Sequence, residues 1–294
     1  MDLNEFQTAA SETDKTGANY DNEPKKDVVV ALLGIAGELG TLATTYKKHL
    51  RDGAGYELHK QHLAEELGDL LWYVAILANK FDLKLAEIAD QNLKKTKGFW
   101  GEPVPRAIAR DESNKECERF PRVFTIEVKE IERDGKIKAV MSLDGCPLGD
   151  PLTDNAHVPD GYRFHDAFHM TFVALLGWSP VLRKLMKLKR RSNAVLDENE
   201  DGGRAIVIEE ALAALIFEYG MDHDQMKSTP RVDYEFTQTL MLISRRLDIK
   251  DVSAAEWSNV ISEGWKIFRN LTEWGGGYVE CNLKERSIIA RPPT

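Results

Sequence analysis

Apolar residues recur at near-helical spacing from Lys26 to about Leu50, at Val28, Leu32, Leu33, Ile35, Ala36, Leu39, Leu42 and Ala43, with no proline among them. That spacing predicts a helix with one apolar face. A second helix is predicted from about Glu57 to Lys80, through LAEELGDLLWYVAILANK, and FDLKL breaks it. A third follows from about Leu85 to Lys97. Short loops between such helices favour antiparallel packing. The character changes between Gly98 and Arg122, where Gly101, Pro103, Pro105 and the charged run ARDESNKECER lie. A domain boundary is placed there, giving 1–101 and 102–294. In VFTIEVKEIERDGKIKAVMSL two alternating runs flank Asp134-Gly135, a strong hairpin signal. The Gly-, Pro- and Asp-rich stretch from Asp144 to Gly161 reads as a loop. Helical patterns return at about 163–191, 204–219, 231–247 and 254–272. The tail GYVECNLKERSIIARPP reads as one or two strands able to join the hairpin. The expected fold is mainly α: an antiparallel helical bundle, then a mostly helical α+β domain with a small antiparallel sheet.

The length of 294 residues fits two domains. A net charge of −9 argues against a general binder of polymeric nucleic acid, which calls for broad basic surfaces, yet it leaves room for small phosphorylated ligands. No apolar run approaches 18 residues, so no membrane-spanning helix is expected. The polar start MDLNEFQTAASETDK does not read as a targeting leader. Cys117, Cys146 and Cys281 are far apart and show no zinc spacing, which fits a reducing cytoplasm.

The informative charges are few. Glu38 lies within GIAGELGTL, and Glu66 and Asp69 lie within LAEELGDLLWY. An i, i+3 pair places both carboxylates on one helix face, here among leucines. Ionised carboxylates at such positions are costly unless cations or metal compensate them. If the two helices pack together, the three carboxylates converge into an all-oxygen site suited to Mg²⁺. A solvated or salt-bridged face is the plainer alternative for Glu66 and Asp69. Gly37, Gly40 and Gly68 are helix glycines that would permit close helix approach or leave room for a ligand. Lys47, Lys48 and Arg51 follow Glu38 in YKKHLRDG, and Asn92, Lys94, Lys95 and Lys97 lie on the third predicted helix. Acids for metal beside bases for phosphate suit a nucleotide polyphosphate.

GIAGELG, YKKHLRDG and LAEELGDLLWYVAILANKFDLKLAEIADQNLKKTKGFW together resemble the MazG-like nucleotide pyrophosphohydrolases of the all-α NTP pyrophosphatase superfamily, over roughly residues 5–100. The resemblance implies a metal motif E-x-x-E followed by E-x-x-D. Glu38 matches its first position, Glu66 its third and Asp69 its fourth, while Thr41 stands at the second and supplies no charge. It further implies Mg²⁺ (or Mn²⁺) and hydrolysis between the α and β phosphates to nucleoside monophosphate and pyrophosphate. Glu38, Glu66 and Asp69 would hold metal and serve the attacking water. Lys48, Arg51 and Lys95 would neutralise phosphate, and Asn92 would approach metal or phosphate. Trp72 would lie near the base, or else pack in the bundle core. A homodimer or higher oligomer is expected, and no membrane partner. Residues beyond 101 resemble the C-terminal domain that accompanies some MazG-like domains, with no activity implied. Thr41 keeps open a non-catalytic, nucleotide-binding regulatory role.

Beyond the first domain, GYRFHDAFHMTF places His165 and His169 at i, i+4, a metal-ligand spacing, with Asp166 beside them. Glu209 and Glu210 in RAIVIEEALAALIF could complete either a second metal or catalytic site or a buried network pinning two helices. The basic run RKLMKLKRR, 183–191, reads as a solvated helix face or a phosphate contact, and DENEDGGR, 197–204, as a flexible acidic loop.

Overall fold

The computed structural model describes residues 1–15, 26–53, 59–101, 110–229 and 231–294. The boundary expected at 101/102, Pro103, Pro105 and the start of the second helix at Glu57 lie outside the described residues. The chain divides into two compact units, Met1–Lys97 and Gly98–Thr294.

The first unit is helical. It contains α1 (Leu3–Thr13), α2 (Lys26–Asp52), α3 (His59–Lys80) and all but the last three residues of α4 (Leu85–Trp100). Helices α2 and α3 pack along each other and α1 lies on α3. Buried Gln7 of α1 ties three pieces together: its amide donates to Asn79 Oδ1 (2.6 Å) and to the Leu83 carbonyl (2.8 Å), and accepts from Leu85 N–H (2.7 Å). Lys80 bridges Asp14 (3.1 Å) and Asp27 (3.2 Å). Among the described residues the buried apolar cluster is small: Ala10, Ala31, Ala75, Ile76 and Leu85.

The close helix approach lies at a glycine the sequence reading passed over. A Cβ on Gly34 would sit 2.3 Å from the Tyr73 ring, whereas Gly37, Gly40 and Gly68 have open space where a side chain would go. Helix α2 also corrects the membrane reading. By length and composition it is apolar enough to cross a bilayer. Glycine, alanine and threonine dilute the apolar run to the eye, but only Glu38 interrupts 28–45 with charge.

The second unit combines a five-stranded antiparallel sheet with helices. Its strands are β1 (Val123–Arg133), β2 (Lys136–Leu143), β3 (Cys146–Leu152), β4 (Gly276–Asn282) and β5 (Ser287–Arg291), in the order β3-β2-β1-β4-β5. Asp134 and Gly135 both take positive φ, as the tight β1–β2 turn requires. The tail supplies both β4 and β5. Strand β3 falls inside the stretch expected to be a loop; Pro147 and Pro151 are tolerated because β3 is an edge strand. Gly276, at φ 128°, has no room for a Cβ, which would lie 2.3 Å from the Val128 carbonyl oxygen.

The helices are α5 (Asp166–Thr171), α6 (Pro180–Leu185), α7 (Ala194–Asn199), α8 (Gly203–Asp222), α9 (Tyr234–Ser244) and α10 (Ala254–Trp274). Helix α10 packs on α5, α9, β4 and β5. Trp257, Trp265, Phe168, Phe172 and Phe268 fill the core between them. The single helix expected over 163–191 is broken. After α5 comes a π-turn, Phe172–Leu176; Gly177 then takes a left-handed conformation, and Ser179 caps α6 with Pro180 at its first turn.

The basic run is not a solvated helix face. Arg183 and Arg190 are buried. Arg183 donates to Asp111 (3.0 Å) and lies over the Phe120 ring. Arg190 pairs with Asp201 (2.8 Å) and Asp248 (2.8 Å). Asp201, from the stretch expected to be a flexible acidic loop, is fully buried. Asp111 also accepts from Arg122 (2.6 Å) and from Phe120 N–H (2.8 Å). Burial alone would raise the Asp111 carboxyl; those hydrogen bonds and the Arg183 charge outweigh it and hold the group below its usual range. A depressed folded-state value means stability present above the unfolded carboxylate range and lost as pH falls through the folded value. Asp111→Asn is expected to cost about 3–5 kcal/mol by urea unfolding at neutral pH, because buried Arg183 loses its hydrogen-bonded carboxylate and keeps only Asp201 at 3.9 Å. The gap to the wild type should begin to narrow below about pH 4, where the unfolded carboxylate takes up its proton, and close as pH falls through the lower folded value.

Candidate functional site

In the first unit, α2 and α3 run antiparallel, so a step forward on one matches a step back on the other. Counting from Gly34 against Tyr73, Glu38 falls level with Asp69, and Thr41 level with Glu66. Glu38 and Glu66 are half-buried and Asp69 is exposed. Burial, the Glu38 charge and a hydrogen bond shared with Glu38, then Asp69 and Glu65, all push the Glu66 carboxyl above its ordinary range. Glu66 therefore sits among acids. The ligand atoms of Glu38, Glu66 and Asp69 do not all come within 4.8 Å of one another; among the described residues, the set that does is His165, Asp166 and His169.

Thr41 is exposed, and its hydroxyl donates back to the Gly37 carbonyl at 3.3 Å. Lys48 is exposed, as is Arg51, whose guanidinium forks onto Asp52 (2.7 and 2.8 Å). Trp72 donates to Thr13 Oγ1 (2.9 Å) and packs against the small core, which favours a packing role over base stacking. Asn92 and Lys95 are exposed on α4, which beyond Leu85 packs only sparsely on the other helices of its unit. The structure thus brings Glu66 to Glu38, with Asp69 nearby, while Asn92 and Lys95 lie exposed on α4.

The family description "MazG C-terminal domain" matches residues 106–294, well over half of the chain, and "MazG nucleotide pyrophosphohydrolase domain" matches residues 31–98. The chain belongs to the MazG family. Its MazG domain contains Glu38, Thr41, Glu66, Asp69, Asn92 and Lys95. Domains of this type carry nucleotide pyrophosphohydrolase activity and generally depend on a divalent metal. The Gene 37 protein of Mycobacterium phage L5 is 36% identical over 97 residues, 32% of this chain and 85% of the phage protein. No solved structure matches the chain.

The MazG C-terminal domain holds a second polar cluster, between α5 and α8. His169 is fully buried, and its Nδ1 meets Glu209 Oε1 at 2.8 Å. Burial would pull the imidazole pKa down; the Glu209 charge and hydrogen bond more than reverse this and raise it well above the ordinary value. Glu209, also fully buried, accepts from Ser179 Oγ (2.5 Å) and Val181 N–H (2.7 Å) as well. One carboxylate thereby joins α8 to α5 and to the start of α6. Its neighbour Glu210 is part-exposed and lies 3.5 Å from His169 Nε2 and 3.8 Å from His165 Nε2. His165 stacks on Tyr162, whose phenol is pushed up to about 12 by burial first and by Glu210 and Asp166 next. Neither Tyr162 nor Ser179 stood out in the sequence. The Ser-Pro pair opening α6 was the available signal for Ser179. Glu209→Ala should lower unfolding stability by about 3–5 kcal/mol in a chemical denaturation curve, since it strands a buried imidazole, a hydroxyl and a backbone N–H together.

Proposed function

We propose that the chain hydrolyses nucleoside triphosphates, with dNTPs or noncanonical NTPs as its preferred substrates, to nucleoside monophosphate and pyrophosphate, and so serves nucleotide-pool control in the cytoplasm. The observation that carries this reading is Glu66, held beside Glu38 with Asp69 near, on the α2–α3 pair of a MazG domain. Carboxylates packed together in this way repel, and an oxygen-only donor set matches a hard cation such as Mg²⁺. Bound there, Mg²⁺ would polarise a phosphoryl oxygen and acidify a water. Glu38, Glu66 and Asp69 would hold the cation, and one of these carboxylates orients the attacking water and takes its proton. The water oxygen attacks the α phosphorus, and the bond to the β-phosphate bridging oxygen breaks, so that pyrophosphate leaves. Lys48 and Arg51, further along α2, meet phosphate charge, with Arg51 exchanging Asp52 for substrate.

A homodimer belongs to the same proposal. Leu32, Leu33, Leu39, Leu50, Leu67 and Leu93 are each at least half exposed, an apolar surface that a second copy would bury. The same association would give Asn92 and Lys95 on α4 a route to a carboxylate site.

Glu66→Gln is expected to lower pyrophosphate release by a factor of about 100 or more, measured across a panel of NTPs, dNTPs and modified nucleotides with Mg²⁺. Thr41→Glu, which restores a carboxylate level with Glu66, should lower the Mg²⁺ concentration for half-maximal rate. Unchanged turnover in Glu66→Gln would remove the reaction from this site. Tight nucleotide binding without turnover, unaltered by Thr41→Glu, would make the protein a nucleotide-binding regulator instead.

A further inference from the structure

The cluster between α5 and α8 has features that a helix-pinning network does not need. His169 Nε2 is fully buried and has no hydrogen-bond partner; the nearest acceptor, Glu210 Oε2, stands off at 3.5 Å. Asp166, only 7% exposed, offers a carboxylate oxygen to the same place as the two imidazoles. A fully buried imidazole nitrogen thus faces two carboxylates without a hydrogen bond to either. The other ring nitrogens are already committed: His169 Nδ1 to Glu209 and His165 Nδ1 to the Tyr162 carbonyl (2.9 Å). Both imidazoles are thus oriented from behind, and both Nε2 atoms are left facing Glu210 Oε2. This is how metal-binding histidines are held, one nitrogen fixed by a carboxylate or carbonyl and the other on the ion.

We propose that His165, Asp166 and His169 of α5 and its preceding turn, closed by Glu210 of α8, form a transition-metal site in the MazG C-terminal domain, with Zn²⁺ the best-fitting ion. The spacing suits it. Ligands at about 2.0–2.1 Å from a tetrahedral zinc lie about 3.3–3.5 Å from each other, and the Nε2–Oε2 separations are 3.5 and 3.8 Å. One ligand atom from each of His165, Asp166 and His169 lies within 4.8 Å of the others, so a small inward movement of side chains brings all to bonding distance. Two imidazoles in the donor set select zinc and its neighbours over Mg²⁺. Helix α5 runs straight into the π-turn at Phe172–Leu176, a distortion frequent where function fixes a helix. The partly exposed Glu210 marks the side from which an ion enters. This site does not depend on the chemistry proposed for the first unit.

The test uses the full chain stripped of metal with a chelator and titrated with Zn²⁺ against a chromophoric competitor, with Mg²⁺ titrated in parallel. One Zn²⁺ per chain is expected, with a rise in thermal midpoint and no comparable effect from Mg²⁺. His165→Gln and Glu210→Gln should each weaken Zn²⁺ about tenfold or more, whereas Glu66→Gln should leave it unchanged. Glu210 is partly exposed, so its variant should keep the wild-type near-ultraviolet circular dichroism and report on the metal alone. X-ray absorption of the loaded protein should show two imidazole ligands. Absence of stoichiometric Zn²⁺, wild-type Zn²⁺ affinity in both His165→Gln and Glu210→Gln, or loss of Zn²⁺ on Glu66→Gln would each overturn the proposal.

Discussion

The contact between Gly34 and Tyr73 sets the spacing of α2 and α3, and the candidate catalytic site depends on that spacing. The ring occupies the space where any Cβ would be. From there the antiparallel register delivers Glu38 to Asp69 and Thr41 to Glu66, one and two turns away. A tyrosine and the absence of one methyl group thus determine that like charges face each other. Such an arrangement costs stability on its own. The fold keeps it inside a domain whose class is generally divalent-metal dependent, and the arrangement fits the proposed cation site. Thr41, neutral and level with Glu66, adds no further repulsion to the carboxylates.

The two units solve burial differently. The MazG C-terminal domain has a large aromatic core and a buried lattice of Asp111, Arg183, Arg190 and Asp201, in which every charge has a partner of opposite sign. The MazG domain buries little and leaves leucines of α2, α3 and α4 open. The same exposed apolar character that lets α2 qualify as a bilayer-crossing helix by composition is what motivates the proposed homodimer. Glu38 at the centre of that apolar run meets Glu66, a costly pairing in lipid and a useful one around a cation.

Helical periodicity in residues 26–100 and the Asp134-Gly135 turn were legible because both are local signals. The candidate carboxylates stood out for the same reason: charge in an apolar stretch needs an explanation wherever it sits. What was illegible depended on distant partners. Nothing around Arg183 or Arg190 announces that Asp111, Asp201 and Asp248 will enclose them, so the run looked solvated. Strand β3 was hidden by prolines that only an edge position tolerates. The glycines near Glu38 drew attention by proximity, while the one that matters, Gly34, needed knowledge of what faces it. Glu209 and Glu210 look alike in sequence; the structure makes one a buried tie between helices and the other the open side of a histidine cluster.

The most direct measurement for the central claim is product identification by ³¹P NMR as the full chain turns over a nucleoside triphosphate with Mg²⁺. Hydrolysis at the α phosphorus gives pyrophosphate and nucleoside monophosphate in equal amounts from the first turnover, with no diphosphate nucleotide and no orthophosphate. Orthophosphate with nucleoside diphosphate would place the cleavage at the other end of the chain of phosphates and contradict the account.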